Sequence, residues 1–349
     1  MSRNVILSAV STLILLVVME AALRVSGAVP AQTLRYVTPD MWSTLPGPLL
    51  PGQSFTDRMK RRLPYHVTVN ELGFRGVGAA RLEPASGSFR ILCLGDSFTF
   101  GAYVDDAETW PVRLQAILAE RRPRPGIDVV NAGINGFTIV DELEFMQEHG
   151  LTLKPDLVVL GFVLNDLADM TRRVPMRRMM LQTSREHASL PLGPLKAALH
   201  QTAIYNAMLL VKTRWLKISG DDPTLQAMDV RHLLAPQFDS ATLELFAEYR
   251  RQLEQLKRLL DERRVPLVVV IFPYWEQLAE GAPDLAQSRL EAMMRELGIP
   301  ALDLLPSFRA HDPDGSRFFL MPRDHHASPE GYRQAAIDIA AAIEPLLGK

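Results

Sequence analysis

The sequence predicts an α/β fold, a doubly wound parallel sheet, and two observations support this prediction. Apolar runs of strand length alternate with stretches of helical pattern from residue 90 onward. Several of the apolar runs are continuous Val, Leu and Ile, as expected of parallel strands that helices cover on both faces. The predicted strands are Arg90–Leu94, Ile127–Asn131, Asp156–Phe162, Pro266–Phe272 and Pro300–Leu304.

The predicted helices fall between these strands and after the last of them. From Leu243 to Leu260 the apolar residues leave a charged opposite face, so this stretch is amphipathic. Ser328 is a favourable N-cap for the final helix, with Pro329 at its first position and Glu330 in its first turn. The predicted helices are Thr109–Glu120, Val140–His149, Ala241–Glu262, Leu285–Leu297 and Pro329–Leu347.

One stretch, from Asp169 to Gln237, interrupts the alternation because no strand appears where one is due. We predict a helical insertion at about residues 170–237, with a helix over Leu195–Lys217 that carries few acidic residues. This helix is expected either to pack on the domain or to lie against the membrane. A basic run in the insertion is interpreted as a solvated face, the alternative being a patch for an anionic substrate or lipid headgroup. The run consists of Arg172, Arg173, Arg177 and Arg178.

The first residues of the chain predict a membrane helix. Residues 5–19 are almost wholly apolar, and Glu20 and Arg24 have the spacing of an ion pair on a helix. We interpret residues 1–29 as an uncleaved anchor; the alternative is a signal peptide cut after Ser26-Gly27-Ala28. Basic residues on the two sides of the segment are balanced, so charge does not settle its orientation.

Residues 30–88 are rich in proline and glycine and predict a stalk and an irregular cap over a main domain that spans residues 89–349. Within the cap, Phe74 and Arg75 are expected to dock this extension on the main domain, with substrate contact as the alternative. The net charge of −2 gives no reason to expect nucleic acid as a partner. The single cysteine, Cys93, excludes an internal disulfide and is predicted to be a small buried hydrophobe.

Four blocks of sequence carry the functional signal. Gly95-Asp96-Ser97 ends the first predicted strand, and Asp324-His325-His326-Ala327-Ser328-Pro329-Glu330-Gly331-Tyr332 precedes the last helix. Between them stand Asn131-Ala132-Gly133-Ile134-Asn135-Gly136 and Leu164-Asn165-Asp166. In this order, the blocks resemble the SGNH (GDSL-type) hydrolase family over roughly residue 89 to the C-terminus. The resemblance implies a flavodoxin-like three-layer sandwich with a five-stranded parallel sheet.

The resemblance implies Ser97 as a nucleophile, His326 as its base and Asp324 as the group that orients the base. A serine hydroxyl needs such a base, and the base needs an orienting partner. The family's most familiar pattern has aspartate three residues before the histidine, where this chain has Arg323. The nearby substitutes for Asp324 are Asp303, Asp312 and Asp314.

His325 is the alternative base, but its distance to the Ser-Pro-Glu-Gly turn is wrong by one residue. The pairing of histidine with Asp324 is also compatible with a metal site, but no third ligand with clear spacing appears; no metal and no cofactor are therefore predicted.

Acyl chemistry also needs donors for the developing oxyanion. The resemblance implies the N–H group of Ser97, Gly136 (with Gly133 reserved for the turn) and the amide of Asn165. The family often has glycine two residues before this asparagine, where Val163 stands here. The alternative role of Asn165 is a cap of the following helix.

These observations predict an acyl-ester hydrolase or O-acyltransferase. By resemblance to exported, membrane-tethered members, its substrate is expected to be a cell-envelope or exported polysaccharide, and its catalytic domain to lie on the periplasmic side. The alternatives are a lipid esterase or thioesterase at the membrane surface, and an inert glycan-binding module. Tyr274 and Trp275 follow a predicted strand and are expected either to stack on a sugar ring or simply to pack.

Overall fold

A five-stranded parallel sheet forms the centre of the protein. The computed structural model describes residues 3–27, 29, 34–37, 40–57, 64–76, 81–122, 126–172, 174–189, 198–199, 202–219 and 230–347. Its strands are β1 (Ser54–Asp57), β2 (Tyr65–Thr68), β3 (Ser88–Gly95), β4 (Gly126–Asn131), β5 (Leu157–Phe162), β6 (Leu267–Ile271) and β7 (Ala301–Asp303). The order in the main sheet is β4-β3-β5-β6-β7. This is the flavodoxin-like order, in which the second strand of the sheet lies outside the first.

The register of the sheet brings the ends of its central strands together. Cys93 in β3 is level with Asn131 in β4 and with Val159 in β5. All residues of β5 and β6 are buried, as their continuous apolar sequences require. The loops that follow β3, β4 and β5 therefore meet at one carboxyl edge.

Helices cover both faces of the sheet, which confirms the predicted fold class. The helices are α1 (Arg3–Ser26), α2 (Ser97–Phe100), α3 (Trp110–Arg121), α4 (Ile139–Glu148), α5 (Leu164–Asp169), α6 (Met176–Ser189), α7 (Ala203–Ser219), α8 (Ser240–Asp261), α9 (Leu285–Leu297), α10 (Leu305–His311) and α11 (Pro329–Ile343). One face of the sheet packs against α4, α5, α8 and α9, and the other face packs against α3, α10 and α11. The predicted bounds agree with the observed ones to within one or two residues for α3, α4, α8 and α9, whereas α11 ends at Ile343 and is followed by a 3₁₀ turn.

The segment between α1 and β3 is more regular than the sequence predicted. β1 and β2 form an antiparallel pair within it. Tyr65 and Val67 are buried while His66 between them is exposed, but four residues are too few for this alternation to be read from sequence. The pair belongs to a separate apolar cluster that also includes Phe100 and Ile134 of the main domain.

The insertion is helical where the structure describes it. It holds α6, α7 and a 3₁₀ turn, and no strand occurs in the described part of residues 170–237. The helix predicted over Leu195–Lys217 is seen from Ala203 to Ser219; residues 195–197, 200 and 201 lie outside the described residues.

The interpretation of the basic run as a solvated face is wrong for Arg177. Its side chain is buried, pairs with Glu148 and lies over the ring of Trp42 at 4.9 Å. Arg178 is exposed and pairs with Glu144, while Arg173 lies outside the described residues. The buried arginine was missed because its aromatic partner is more than a hundred positions away in sequence.

α1 is long and apolar enough to cross a membrane. It has 24 residues, of which an 18-residue stretch has a mean hydropathy of 2.4, and none of them is buried in the protein. In the described part of the chain it is the one helix that meets these requirements.

Candidate active site

Ser97 lies in a sharp turn between β3 and the short helix α2. The Asp96 carboxylate caps α2 by accepting a hydrogen bond from the Phe98 N–H at 2.8 Å. Gly95 has φ +144°, and a Cβ there would lie 2.7 Å from the Gly161 carbonyl oxygen and collide with Thr99. Only glycine therefore allows the chain to turn this close to β5 and leave Ser97 at the carboxyl edge.

His326 and Asp324 form a hydrogen-bonded chain with Ser97. The Nε2 atom of His326 lies 2.7 Å from the Ser97 Oγ atom. On the other side of the ring, Nδ1 contacts the Asp324 Oδ1 atom, which also accepts the His326 backbone N–H at 3.1 Å. A proton on Nδ1 facing this carboxylate leaves Nε2 as an acceptor for the serine hydroxyl. The two-residue spacing is thus enough to bring the carboxylate to the imidazole.

The contacts of His325 are with Glu276 and Tyr274, and the imidazole that contacts Ser97 is that of His326. The His325 side chain is half exposed, lies 3.6 Å from the Glu276 carboxylate and is tilted over the ring of Tyr274. Each of the three alternative carboxylates accepts a backbone N–H in its own loop; these are Asp303, Asp312 and Asp314. The carboxylate that contacts the His326 ring, which in turn contacts Ser97, is therefore that of Asp324.

The loop before α11 is fixed at both ends of the histidine pair. The Ser328 hydroxyl accepts from the Gly331 N–H at 3.2 Å, which confirms the predicted N-cap. The His326 carbonyl accepts from the Leu320 N–H at 2.9 Å, and before the pair the Asp324 N–H donates to the Leu320 carbonyl at 3.3 Å. These contacts restrict the backbone on both sides of the imidazole.

Two aromatic rings that the sequence analysis missed pack on His326. Phe98 stacks on the imidazole at 5.0 Å, and the edge of Tyr103 approaches it at 5.1 Å. Tyr103 has φ +67°, a conformation that costs a non-glycine residue on the order of 1–3 kcal/mol. Tyr65 of β2 packs in turn on Tyr103 at 5.6 Å. The N-terminal extension thus reaches the imidazole through one intervening ring.

Arg75 holds the loop that carries Tyr103. Its guanidinium is buried, pairs with Asp106 at 2.7 Å and donates to the carbonyls of Phe100 (3.0 Å) and Val104 (2.6 Å). It also donates to two further carbonyls, those of His66 and Gly101. The prediction that Arg75 docks the extension matches this geometry, and burial leaves it no access to a substrate.

Asn165 lies at the start of α5 and connects with Ser97 through Asp96. Its Nδ2 atom donates to the Asp96 Oδ2 atom at 2.9 Å, and the same oxygen lies 3.3 Å from the Ser97 Oγ atom. On its other side, the Asn165 Oδ1 atom accepts from the Tyr274 hydroxyl at 3.3 Å. Val163, not Asn165, is the N-cap residue of α5.

Tyr274 and Trp275 have different surroundings. Burial raises the pKa of the Tyr274 phenol, so the hydroxyl stays a donor to Asn165. Trp275 turns toward another loop, where its Nε1–H donates to the Asp314 carbonyl at 3.1 Å. The tyrosine therefore contacts the predicted site residue Asn165, whereas the tryptophan contacts the loop of Asp314.

Gly136 lies in the turn after β4. Its φ is +76°, and a Cβ there would lie 2.9 Å from the Met176 side chain. Arg172 donates to the Gly136 carbonyl at 2.6 Å and pairs with Asp169 at 2.6 Å. Gly133, which was predicted to be needed for the turn, donates its N–H to the Asn131 side chain at 3.1 Å. Arg172 thus ties the turn of Gly136 to α5, a link that the sequence analysis missed.

Buried carboxyl groups lie behind these residues. Burial, together with the neighbouring Asp96 carboxyl, raises the pKa of Glu142 and that of Asp166 well above their ordinary values. Burial also raises the pKa of Asp169 to about 6, although Arg172 acts in the opposite direction. Within the described residues, no three His, Cys, Asp or Glu side chains are placed to hold a metal ion.

A family model for the GDSL-like lipase/acylhydrolase family matches residues 93–334. No curated protein sequence matches the chain. Similar solved structures include the lipase/acylhydrolase from Enterococcus faecalis, at 18% identity and TM-score 0.43, covering 74% of this chain and 96% of that one.

Two further solved structures are esterases of polysaccharides. The acetyl xylan esterase AlAXEase is 14% identical with TM-score 0.42, covering 73% of this chain and 100% of that one. The two-domain esterase CEX, active on acetylated mannans, is 13% identical with TM-score 0.44, covering 75% of this chain and 50% of that one. The family model covers well over half of the chain, and the protein therefore belongs to the GDSL-like lipase/acylhydrolase family.

Proposed function

We propose that the protein is a serine-dependent acyl-ester enzyme in which Ser97, His326 and Asp324 form the catalytic triad. The observation that carries the proposal is the continuous contact from the Asp324 carboxylate through the imidazole to the Ser97 hydroxyl, with 2.7 Å between Nε2 and Oγ. That distance is within the reach required of a general base.

In the proposed reaction, the Ser97 Oγ atom attacks the ester carbonyl while His326 Nε2 takes the hydroxyl proton. The tetrahedral intermediate collapses to an acyl-serine, and the imidazolium returns its proton to the departing alcohol oxygen. A second hydroxyl compound, activated by the same imidazole, then attacks the acyl-serine and releases the acyl group. Asp324 stabilises the imidazolium in both halves of the reaction.

The proposed oxyanion donors are the N–H groups of Ser97 and Gly136 and the side-chain amide of Asn165. Asp96 and Tyr274 hold the two ends of that amide, so its plane is fixed beside Ser97. Arg172 supports Gly136 in the same way by fixing its carbonyl. A donor set held by neighbouring groups needs little rearrangement when charge develops on the carbonyl oxygen.

For the substrate, we propose an acylated cell-envelope or exported polysaccharide. Water as the second hydroxyl compound gives an esterase, and a sugar hydroxyl gives an O-acyltransferase. The exposed apolar surface of α7 beside α1 favours one alternative, a lipid ester or thioester presented at the membrane. The contact between base and nucleophile favours an enzyme over an inert glycan-binding module.

We also propose that α1 is an uncleaved membrane anchor and that the enzyme domain lies on the extracytoplasmic side. Glu20 of α1 accepts the N–H groups of Ala203 and Ile204 in α7, and cleavage after residue 28 would remove this contact. The side of the membrane rests on the resemblance to exported relatives.

The experiment that tests the catalytic proposal is labelling with a fluorophosphonate probe, which reacts with activated serines. The wild-type protein is expected to be labelled, and Ser97→Ala and His326→Ala are expected to lose the label. His325→Ala is the matched control and is expected to keep it, because the imidazole that contacts the Ser97 hydroxyl is that of His326, whereas His325 contacts Glu276. Labelling that persists in Ser97→Ala would overturn the assignment of the nucleophile.

A further inference from the structure

We infer that α7 is a second membrane contact, lying at the bilayer surface beside α1 with its apolar face covered by lipid acyl chains. The inference rests on the proposed anchor role of α1 and adds a lipid-binding surface in the insertion. It predicts that the catalytic domain is attached to the membrane at two elements.

The first observation is a polar contact that fixes where the two helices meet. The Glu20 carboxylate accepts the N–H groups of Ala203 at 2.9 Å and Ile204 at 3.0 Å, which would have no partner within their own helix. Arg24 holds the same carboxylate at 2.6 Å. The N-terminus of α7 is thereby attached to the last turns of α1, where an anchor would leave the hydrocarbon region.

The second observation is an apolar groove that begins at this contact. Met19 and Leu23 of α1 form one wall, and the groove encloses a volume of about 550 Å³. The lining side chains on α7 recur every three or four residues and so share one face of the helix. They are Ile204, Ala207, Met208, Val211, Lys212 and Trp215.

This face of α7 is open over most of its length. Met208, Val211 and Trp215 are 65%, 69% and 63% exposed. Apolar residues of α1 before Met19 are exposed as well, so the face of α7 continues the surface of the proposed anchor. A continuous apolar surface of this kind is uncommon toward water and typical of a binding surface.

Charge indicates which occupant fits. The sequence of α7 contains Lys212, Arg214 and Lys217 and no acidic residue. Basic residues with a tryptophan and aliphatic side chains are the composition of helices that lie in the membrane interface, where anionic headgroups attract them. A second copy of the chain would bring two such basic helices together. Lipid acyl chains, with anionic headgroups at the rim, therefore fit the groove better than another copy.

The test places one fluorescent probe at a time on the full-length protein in vesicles of phosphatidylcholine and phosphatidylglycerol. Cys93 is buried, so an introduced cysteine is the accessible thiol. Variants Met208→Cys and Val211→Cys report on the groove, and Leu13→Cys reports on α1. Gln255→Cys, on the exposed face of α8, is the matched control.

With lipids that carry bromine on their acyl chains, fluorescence is expected to be quenched at positions 208, 211 and 13 but not at 255. Quenching at 13 without quenching at 208 and 211 would overturn the inference and leave the anchor intact. Absence of quenching at 13 would overturn the anchor and the inference together. Energy transfer between probes at position 208 on different copies, without lipid quenching, would identify a second copy as the occupant and also overturn it.

A further variant tests the contact that positions α7. Glu20→Ala removes both acceptors of the α7 N-terminus, and it is expected to reduce quenching at 208 while quenching at 13 is unchanged. Glu20→Gln, which keeps one acceptor oxygen, is expected to reduce it less. Equal quenching at 208 in all three proteins would contradict the role of Glu20 in holding α7 at the membrane.

Discussion

The buried carboxyl groups around the candidate active site differ in what they face. Asp106 and Asp324 are 5% and 8% exposed, and each contacts a basic side chain. Glu142 and Asp166 are both 3% exposed, yet their neighbours include other carboxyls. Since the degree of burial is similar, the difference between the two pairs of carboxyls arises from their partners, which are basic side chains for one pair and other carboxyls for the second pair.

The two kinds of carboxyl stabilise the site differently. On the cationic side of the site, where a carboxyl contacts a basic side chain, the Arg75 guanidinium joins Asp106 to four backbone carbonyls. The charge of Arg75 thus fixes the loop whose Tyr103 ring packs on the imidazole. On the acidic side, which holds the neighbouring carboxyls of Glu142 and Asp166, burial and like charge raise the pKa of both groups and so favour their protonated forms. Removing a charge should therefore be costly on the first side and nearly neutral on the second.

The largest effect is expected from Asp324→Asn. The variant loses the carboxylate that holds the His326 tautomer and stabilises its charged form, so kcat should fall by on the order of 10³- to 10⁴-fold. KM should change little, because the interaction strengthens as charge develops on the ring. Steady-state kinetics on a chromogenic ester measures both. Wild-type kcat in Asp324→Asn, with an inactive Asp303→Asn or Asp312→Asn, would contradict the triad assignment.

Arg75→Met should have the next largest effect, on stability. It leaves the buried Asp106 carboxylate without its cation, which costs about 3–5 kcal/mol in the free energy of unfolding. Urea unfolding in detergent measures this. The double variant Arg75→Met with Asp106→Leu removes the unpaired charge and should recover part of the loss. Fluorophosphonate labelling of the double variant should be slower than that of the wild type, because the loop that carries Tyr103 still lacks the hydrogen bonds from Arg75. Labelling at the wild-type rate would refute the role of Arg75 in positioning this loop.

The sheet and the nucleophile turn could be predicted because their signals are local in sequence. Continuous Val and Leu runs identify β5 and β6, and the segment around Ser97 carries its own glycine turn. Arg75 could not be assigned its contacts in the same way. Its acceptors are mainly backbone carbonyls about thirty residues away, and a carbonyl is the same at every position of the chain.

Other features were missed for the same physical reason. The aromatic contacts of His326 arise because Tyr103 adopts a positive φ that the sequence does not require. The boundary of α7 is set by Glu20, a residue in another helix that supplies its acceptors. Long-range partners of this kind decide local structure, whereas residue spacing reports only on neighbours along the chain.

Asp169 gives a pH-dependent test of the acidic side. Its pKa in the folded protein is about 6 against an ordinary 3.8, so between these values the folded state binds more protons than the unfolded state. The free energy of unfolding should therefore fall as pH rises through this window, by about 3 kcal/mol for this group.

The check is urea unfolding at several pH values for wild type and Asp169→Asn, which should lack this part of the slope. Asp314→Asn is the control of opposite sign, because hydrogen bonds to Ser316 lower the pKa of Asp314. Removing Asp314 should take away stability that is present at higher pH and lost on acidification. The same slope in Asp169→Asn and wild type would show that Asp169 titrates normally.

Glu142→Gln should have the smallest effect, and it tests the comparison most directly. A protonated carboxyl and an amide have nearly the same shape and no charge, so near pH 4 the free energy of unfolding should change by less than about 1 kcal/mol. Because the pKa of Glu142 in the folded protein is raised well above 4.5, the folded wild type binds more protons than the unfolded chain once the pH passes 4.5, and the variant should become the more stable of the two as the pH rises further. Urea unfolding from pH 4 to pH 8 measures the difference. A loss in Glu142→Gln at pH 7 as large as that in Arg75→Met would mean that Glu142 is a paired ion, and the contrast between the two sides of the site would be wrong.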